Sequence, residues 1–223
     1  MRVLSEAAWI SRNTDRIESV KVARELGRVK NIRKQTGNRF LNIYELESMK
    51  RDGNTIPYYL ASRADNIEDL KLLKKEKPAD AVMICAVAGD KLVLEKQYRF
   101  TIDDYIYELP AGLIEKGESL EGAAKREFFE ETGMKFTPIH GHHSSRPYFS
   151  SIGMTDESIA TVYGYGSGIP TSEHEEATED ITVVLADRRE CIRILKEENV
   201  ATMAAFLMMN FINSPVNPFQ FLV

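Results

Sequence analysis

Three glutamates in the middle of the chain, Glu127, Glu130 and Glu131, have a spacing that suits metal chemistry. On an α-helix of about 3.6 residues per turn, positions i, i+3 and i+4 lie on one face. The same sector of the predicted helix holds the small apolar residues Ala123 and Ala124. Like charges at this spacing repel each other, and crowding them beside apolar positions raises the cost further. The pattern therefore predicts that a positive group lies between the carboxylates.

The single arginine of this segment, Arg126, carries too little charge to neutralise three carboxylates. Hard oxygen ligands with room beside them suit Mg²⁺ or Mn²⁺, which keep part of their water shell and bind substrate phosphates. The sequence therefore favours a metal site over the alternative, a structural cluster of salt bridges.

The elements that must position these residues are helices and strands in irregular alternation. The helix with the glutamates is predicted at residues 120–132, and Gly133 follows as the residue that ends it. Residues 81–87 and 91–98 flank a Gly-Asp turn and predict a hairpin. Because strands join through hairpins as well as helices, the predicted class is mixed α+β. Further strands are predicted at residues 106–110, 158–165 and 180–186, and two helices at 188–198 and 200–213.

A boundary at Pro78 divides the chain into an N-terminal segment, residues 1–78, and a main domain, residues 79–223. The first 35 residues are predicted to be helical or loosely ordered. Two β-prone runs, at residues 40–50 and 56–63, flank an Asp-Gly pair and predict an antiparallel hairpin. Residues 66–77 form a charged, helix-like stretch whose basic cluster, from Lys71 to Lys77, is predicted to be solvated.

Composition excludes several classes of protein. The 223 residues carry a net charge of −5 and no strong basic patch, so a nucleic-acid partner is not expected. Two cysteines, Cys85 and Cys191, are too few for a disulfide framework and lack the spacing of a zinc site. Apolar stretches such as residues 201–209 are far shorter than the roughly 20 residues of a membrane-spanning helix. We expect a cytoplasmic protein with no membrane partner.

The segment around the glutamates resembles the Nudix box of the Nudix hydrolases. A pattern matched without a gap over this length is far more specific than an isolated glycine-rich triplet. The resemblance implies the Nudix fold, a mixed β-sheet between helices, and metal-dependent hydrolysis of a nucleoside diphosphate linked to another group. The fixed positions of the box are filled by Gly112, Glu118, Arg126, Glu127, Phe128, Glu130, Glu131, Gly133 and Met134.

The resemblance also implies roles for individual residues. Cations held at the box would neutralise a pyrophosphate and lower the pKa of an attacking water. By the family pattern, Arg126 orients the glutamates, and Glu118 lies at the edge of the metal cluster. The implied metal ligands are Glu127 and Glu131, with Glu130 as an auxiliary ligand or base and the Ala111 carbonyl as a further ligand.

The surroundings of the box look like the ADP-ribose and nucleoside-diphosphate-sugar pyrophosphatases. The lead-in at residues 108–115 is similar to that branch, and so is the run ending at Arg99, which implies a phosphate contact for this arginine. In the N-terminal segment the match implies adenine stacking for Tyr58 and a polar substrate contact for Arg63. The alternative for Tyr58 and Tyr59 is that they merely alternate across a sheet.

Downstream of the box, the branch has a Ser-Pro-Gly signature followed by an acid on a mobile loop. Gly153 matches the signature, whereas Ile152 stands where proline is expected. The resemblance implies Glu157 as the catalytic base, with Asp156 as the alternative. The departure at Ile152 leaves a sugar nucleotide other than ADP-ribose open.

Three histidines follow the box helix, at His140, His142 and His143. Their glycine- and serine-containing context predicts a loop, so we interpret them as exposed or outer residues and not as metal ligands. The resemblance further implies a homodimer in which the N-terminal sheets exchange contacts, and in which one chain supplies Tyr58 or Arg63 and the other the box.

Two other functions are compatible with such a chain. One is a Nudix-like ligand-sensing domain that has lost catalysis; such domains usually have a degraded box, whereas every glutamate is present here. The other is hydrolysis of another nucleotide, such as GDP-mannose, a nucleoside triphosphate or capped RNA. The predicted function is hydrolysis of a nucleoside diphosphate sugar, with ADP-ribose converted to AMP and ribose 5-phosphate.

Overall fold

The computed structural model describes residues 19–21, 27–139, 146–171, 173 and 180–222. The chain forms two compact units. One unit comprises Met1–Pro78 together with Phe149–Ser158, and the other comprises Ala79–Tyr148 together with Ile159–Val223. The segment Phe149–Ser158, which the sequence placed in the main domain, thus groups with the N-terminal unit.

The N-terminal unit contains an antiparallel sheet in the order β1-β2-β3-β4. The predicted hairpin around Gly53 is confirmed, and this glycine has the positive φ of 87° that the tight turn requires. The strands are β1 (Ser19–Lys21), β2 (Val29–Lys34), β3 (Asn42–Met49) and β4 (Thr55–Ser62).

The prediction of helix or loose order for the first 35 residues is wrong where the structure describes them, because β1 and β2 are strands. In β2 only Ile32 is buried, and it packs with apolar side chains from later parts of the chain. Long-range pairing with β3 therefore decides the conformation, and the local charge pattern does not.

The predicted charged helix at residues 66–77 is instead two short 3₁₀ helices, Ile67–Asp69 and Lys71–Leu73. Ile67 and Leu70 lie in the apolar cluster of this unit. Lys71, predicted to be solvated, has only 9% of its surface exposed. The apolar residues beside it draw this turn inward, and Lys71 is buried with them.

The main unit is built on a mixed sheet in which β11 runs parallel to β5, whereas the pairs β9–β11, β6–β12, β5–β6, β5–β8 and β6–β7 are antiparallel. Its main path has the order β10-β11-β5-β6-β12, while β7 pairs with β6, β8 with β5 and β9 with β11. The strands are β5 (Ala81–Ala88), β6 (Lys91–Arg99), β7 (Asp104–Glu108), β8 (Ala111–Leu113), β9 (Lys135–Pro138), β10 (Pro147–Phe149), β11 (Ser158–Ser167) and β12 (Ile181–Ala186).

Helices cover both faces of this sheet: α1 (Leu120–Thr132) on one, and α2 (Arg188–Glu197) and α3 (Thr202–Asn213) on the other. Successive side chains of a strand point to opposite faces, so Ile84 of β5 packs in the cluster of α1 and Cys85 in the cluster of α2 and α3. This confirms the predicted mixed α+β fold with a sheet between helices. Among the described residues, no helix has both the length and the apolar character to span a bilayer.

Candidate active site

Helix α1 begins and ends as the sequence predicts. The Ser119 hydroxyl accepts a hydrogen bond from the Gly122 N–H at 3.1 Å, which satisfies one of the free donors of the first turn. Gly133 closes the helix with a left-handed φ of 66°, and its N–H donates to the Phe129 carbonyl at 2.8 Å. These two caps fix the position of the acidic face of α1.

Gly112 of β8 lies directly against the carboxylate of Glu127. A Cβ atom added at this glycine would lie 1.9 Å from Glu127 Cδ, far inside van der Waals contact. Only glycine therefore lets the backbone of β8 approach the acidic face of α1 this closely.

β8 and α1 enclose a cavity of about 520 Å³. Glu131 is 4% exposed, and one of its oxygens, Oε2, accepts the Ala111 N–H at 3.0 Å. Glu127 and Glu130 line the same cavity in less buried positions. The full lining is Ala111, Gly112, Leu113, Ile114, Glu115, Arg126, Glu127, Glu130 and Glu131.

Arg126 joins several of the carboxylates. Its guanidinium donates to both oxygens of Glu118, from Nε at 3.0 Å and from Nη2 at 2.8 Å. Nη1 lies 2.9 Å from Glu127 Oε1 and 3.0 Å from Glu130 Oε2. The hydrogen bond from Arg126 lowers the pKa of the Glu118 carboxyl, and the Glu118 carboxylate in turn raises the pKa of the arginine most strongly. Arg126 therefore holds the glutamates together, and Glu118 holds Arg126.

The three glutamates of α1 that line the cavity have the oxygen ligands of a magnesium or manganese site. Their carboxylates do not, however, converge on one point. Within the described parts of the chain, no group of three or more His, Cys, Asp or Glu side chains is close enough to hold a metal ion. The oxygens of Glu127 and Glu130 face Arg126, and Glu131 faces the backbone of β8. Carboxylate oxygens beside a backbone without a side chain are nevertheless the ligands that Mg²⁺ and Mn²⁺ prefer. The histidines that we interpret as exposed loop residues, His140, His142 and His143, lie outside the described residues.

Arg99 ends β6 and forms an ion pair that the sequence analysis missed. Its Nε donates to Glu108 Oε2 at 2.6 Å, and the arginine side chain is 47% exposed. Glu108 is brought there by the antiparallel pairing of β6 with β7. The short distance in sequence between β6 and β7 indicates that the two strands pair. The identities of Arg99 and Glu108 alone do not indicate that these two side chains meet.

Tyr58 and Tyr59 lie on β4, where both side chains are exposed. The Tyr58 hydroxyl donates to the Gly153 carbonyl at 2.6 Å. Past the end of the strand, Arg63 Nε donates to Glu157 Oε1 at 2.9 Å. The structure thus brings the predicted substrate residues Tyr58 and Arg63 into contact with the loop that carries the predicted base.

The two candidates for the base have different surroundings. Glu157 faces the exposed Arg63, and the Ser150 hydroxyl donates to Glu157 Oε2 at 3.3 Å. Asp156 Oδ2 instead accepts the backbone N–H of Lys71 at 3.2 Å. The carboxylate of Asp156 is thus used to hold backbone, whereas that of Glu157 is paired with side chains.

Comparison with known proteins gives a consistent family assignment. The profile of the NUDIX domain matches residues 77–197. The chain is similar to ADP-sugar pyrophosphatase of Mus musculus, with 47% identity over 30% of this chain and 34% of the mouse protein. It is also similar to ADP-ribose pyrophosphatase of Bacillus subtilis, with 36% identity over 42% of this chain and 53% of the bacterial protein.

A solved structure supports the fold alone. The crystal structure of ADP compounds hydrolase superimposes with a TM-score of 0.63 at 18% identity, covering 87% of this chain and 99% of that one. The sequence matches span about a third to a half of the two relatives named above.

Proposed function

The chain belongs to the Nudix family, and we propose from its site that it hydrolyses the pyrophosphate bond of a nucleoside diphosphate sugar, with ADP-ribose as the first candidate. The family match extends over more than half of the chain and confirms the predicted resemblance. The observation that carries the proposal is the cavity lined by three glutamates of α1, of which Glu127 lies against the bare backbone of Gly112.

We propose Glu127 and Glu131 as the main ligands of Mg²⁺ or Mn²⁺, with Glu130 and the Ala111 carbonyl as further ligands. When bound, the metal would neutralise the pyrophosphate and make a bound water more acidic. Because the side chains are not gathered around one point, Glu127 and Glu130 must turn from Arg126 to serve as ligands. The bidentate pair with Glu118 would then keep Arg126 in place.

Recognition of the substrate is assigned to three residues. Exposed Tyr58 offers a ring on which a base can stack, a contact worth about 1–3 kcal/mol. Arg63 and Arg99 each donate to one carboxylate through Nε, and a guanidinium has five N–H donors with which it can also bind a phosphate or hydroxyl oxygen. The similarity to the mouse ADP-sugar pyrophosphatase and the Bacillus subtilis ADP-ribose pyrophosphatase supports an ADP-containing substrate.

Glu157 is proposed as the general base. In the reaction a water oxygen bonds to one phosphorus, the anhydride P–O bond breaks, and a Glu157 oxygen takes the proton of the water. The carboxylate suits this role because its partner Arg63 is exposed and can exchange Glu157 for substrate. The carboxylate of Asp156 is used to hold the Lys71 backbone, which favours Glu157 of the two.

A homodimer is proposed from the exposure of β4. This strand ends the sheet of the N-terminal unit, and its residues from Thr55 to Tyr59 are all exposed. Mixing Tyr58→Ala chains with Glu131→Gln chains would restore activity in heterodimers if each site draws on two chains. Light scattering that shows a monomer at micromolar concentration would contradict the dimer.

The test of the function is a substrate panel of ADP-ribose, ADP-glucose, GDP-mannose, UDP-glucose, NADH and dGTP with Mg²⁺ or Mn²⁺. We expect release of AMP from ADP-ribose, and its loss in the Glu127→Gln variant. Turnover of GDP-mannose or dGTP alone would assign another substrate. Binding of ADP-ribose without turnover of any compound would indicate the ligand-sensing alternative.

A further inference from the structure

Glu157 lies between two residues whose side chains both contact Lys71. On one side, Asp156 Oδ2 accepts the backbone N–H of Lys71 at 3.2 Å. On the other, the Ser158 hydroxyl accepts a hydrogen bond from Lys71 Nζ. The same ammonium donates to the Pro78 carbonyl at 2.8 Å, and the Ser158 hydroxyl donates to that carbonyl at 3.2 Å. A single lysine thus joins the residues before and after Glu157 to the end of the N-terminal segment.

This arrangement is more deeply buried than the carboxylate that it flanks. Lys71 and Ser158 are 9% and 2% exposed, whereas the side chain of Glu157 is 24% exposed and that of its partner Arg63 is 47% exposed. A buried ammonium is stable only while its hydrogen bonds are kept, so the contacts of Lys71 resist displacement. The backbone on either side of Glu157 is therefore fixed from the buried side, while the carboxylate stays on the exposed side.

The rest of the loop is also held by β4, which belongs to the same unit. The Ala61 N–H of β4 donates to the Met154 carbonyl at 2.8 Å, and Ala61 forms a parallel bridge with Thr155. These contacts fix the start of the loop, but they lie on the N-terminal side of Asp156. Lys71 alone among these residues contacts both chain neighbours of Glu157.

We infer that Lys71 is a positioning residue for Glu157. The inference rests on the proposed role of Glu157 as general base. Lys71 acts through Asp156 and Ser158, which set the direction of the Glu157 side chain, and it does not contact the substrate. A displacement of about 1 Å at a reacting group can cost about a hundredfold in rate, so loss of this lysine should lower kcat.

The experiment measures kcat and KM of three variants, Lys71→Met, Asp156→Ala and Ser158→Ala, on the substrate that is turned over. We expect kcat to fall by about 10- to 100-fold, with KM changed by less than about twofold. Lys74→Met is the matched control, because Lys74 lies three residues further on and its ammonium pairs with Asp69 on the surface at 3.0 Å. If Lys71→Met fails to fold, Ser158→Ala carries the test, since it removes one hydroxyl and leaves the lysine in place.

A double variant separates positioning from a general structural role. In the Glu157→Gln background, Lys71→Met should cause no further loss of kcat, because a residue that acts only through Glu157 has nothing left to position. A further loss equal to that in the wild-type background would overturn the inference. The inference would also be overturned if Lys71→Met had the same kcat as the control Lys74→Met while Glu157→Gln had a strongly reduced kcat. If Glu157→Gln itself keeps a normal kcat, the assignment of the base has failed, which is a distinct result.

Discussion

Two arginines of the main unit each bind three glutamates, and the surroundings of the two clusters differ. Arg126 of α1 pairs with Glu118, Glu127 and Glu130, and Arg193 of α2 pairs with Glu190, Glu197 and Glu198. In both, the carboxylates raise the pKa of the arginine. One arginine can thus hold three carboxylates in this protein, so their number alone does not indicate a metal.

The difference between the clusters lies in how deeply their acids are buried. In α2 the buried residues are Cys191 and Ile194, whereas the acid side chains stay accessible, with Glu190 38%, Glu197 62% and Glu198 28% exposed. In α1 a fourth acid, Glu131, is itself buried and faces β8. A cluster of salt bridges on a surface needs no such burial, whereas a site that binds a cation and a phosphate does.

The largest expected effect is on turnover. Replacing Glu127 or Glu131 by Gln should lower kcat by about a hundredfold or more, the size found when a group that stabilises transition-state charge is removed. The same change at Glu190 should leave kcat unaltered. Because like charges are removed from α1, its variants should keep or gain thermal stability without metal. Steady-state kinetics and thermal unfolding of the three variants check this; unfolding of the α1 variants would instead make that cluster structural.

A second prediction concerns the close approach at Gly112. In Gly112→Ala the new Cβ would meet Glu127 at 1.9 Å, so the carboxylate must move by more than 1 Å. We expect kcat to fall by about 10- to 100-fold, with little change in the far-ultraviolet circular dichroism. Gly37→Ala is the control, since nothing lies within 4 Å of a Cβ at that position. Equal activity of the two variants would show that the contact of Gly112 with Glu127 has no catalytic role.

The fold was predictable where local signals and long-range contacts agree. Helix α1 has a capping serine and a terminal glycine that indicate the same bounds, and the structure keeps them. The strands β1 and β2 were missed because four of their nine residues are charged, and it is the pairing of β1 with β2 and of β2 with β3 that makes them strands. Sequence spacing carries no signal for such pairing.

The candidate site divides in the same way. The shared face of Glu127, Glu130 and Glu131 follows from helical periodicity and lines one cavity. Lys71 was predicted to be solvated because it begins a basic run. It is buried because the neighbouring Leu70 packs in the core, and the sequence around Lys71 does not indicate this packing. The contacts of Glu157 with Arg63 join residues 94 apart and depend on tertiary structure alone.

A third prediction compares the two arginines directly. Lysine keeps the charge of Arg126 but cannot form the bidentate pair with Glu118, so Arg126→Lys should misplace the glutamates and lower kcat about tenfold. Arg193→Lys loses similar hydrogen bonds to Glu190 and should leave kcat unchanged. Steady-state kinetics at saturating metal measure both. A loss of activity in Arg193→Lys would show that the α2 cluster also supports the site.

The smallest expected effect is on the pH dependence of thermal stability, and here the Arg126 and Arg193 clusters should behave alike. The hydrogen bond from Arg126 lowers the pKa of Glu118, and that from Arg193 lowers the pKa of Glu190, each relative to the unfolded chain. A carboxyl with a lowered pKa stabilises the fold at pH values above its unfolded pKa of about 4.3, and this contribution is lost as the pH falls through its folded pKa. Glu118→Gln and Glu190→Gln should therefore each lower Tm by roughly 1–3 °C near pH 7, as surface ion pairs contribute little, and the difference from wild type should vanish at low pH. Thermal unfolding between pH 7 and pH 3 tests this. If only Glu118→Gln showed the pH dependence, the Arg126 and Arg193 clusters would differ in electrostatics as well as in burial. Burial alone would then not distinguish the proposed catalytic cluster from the surface one.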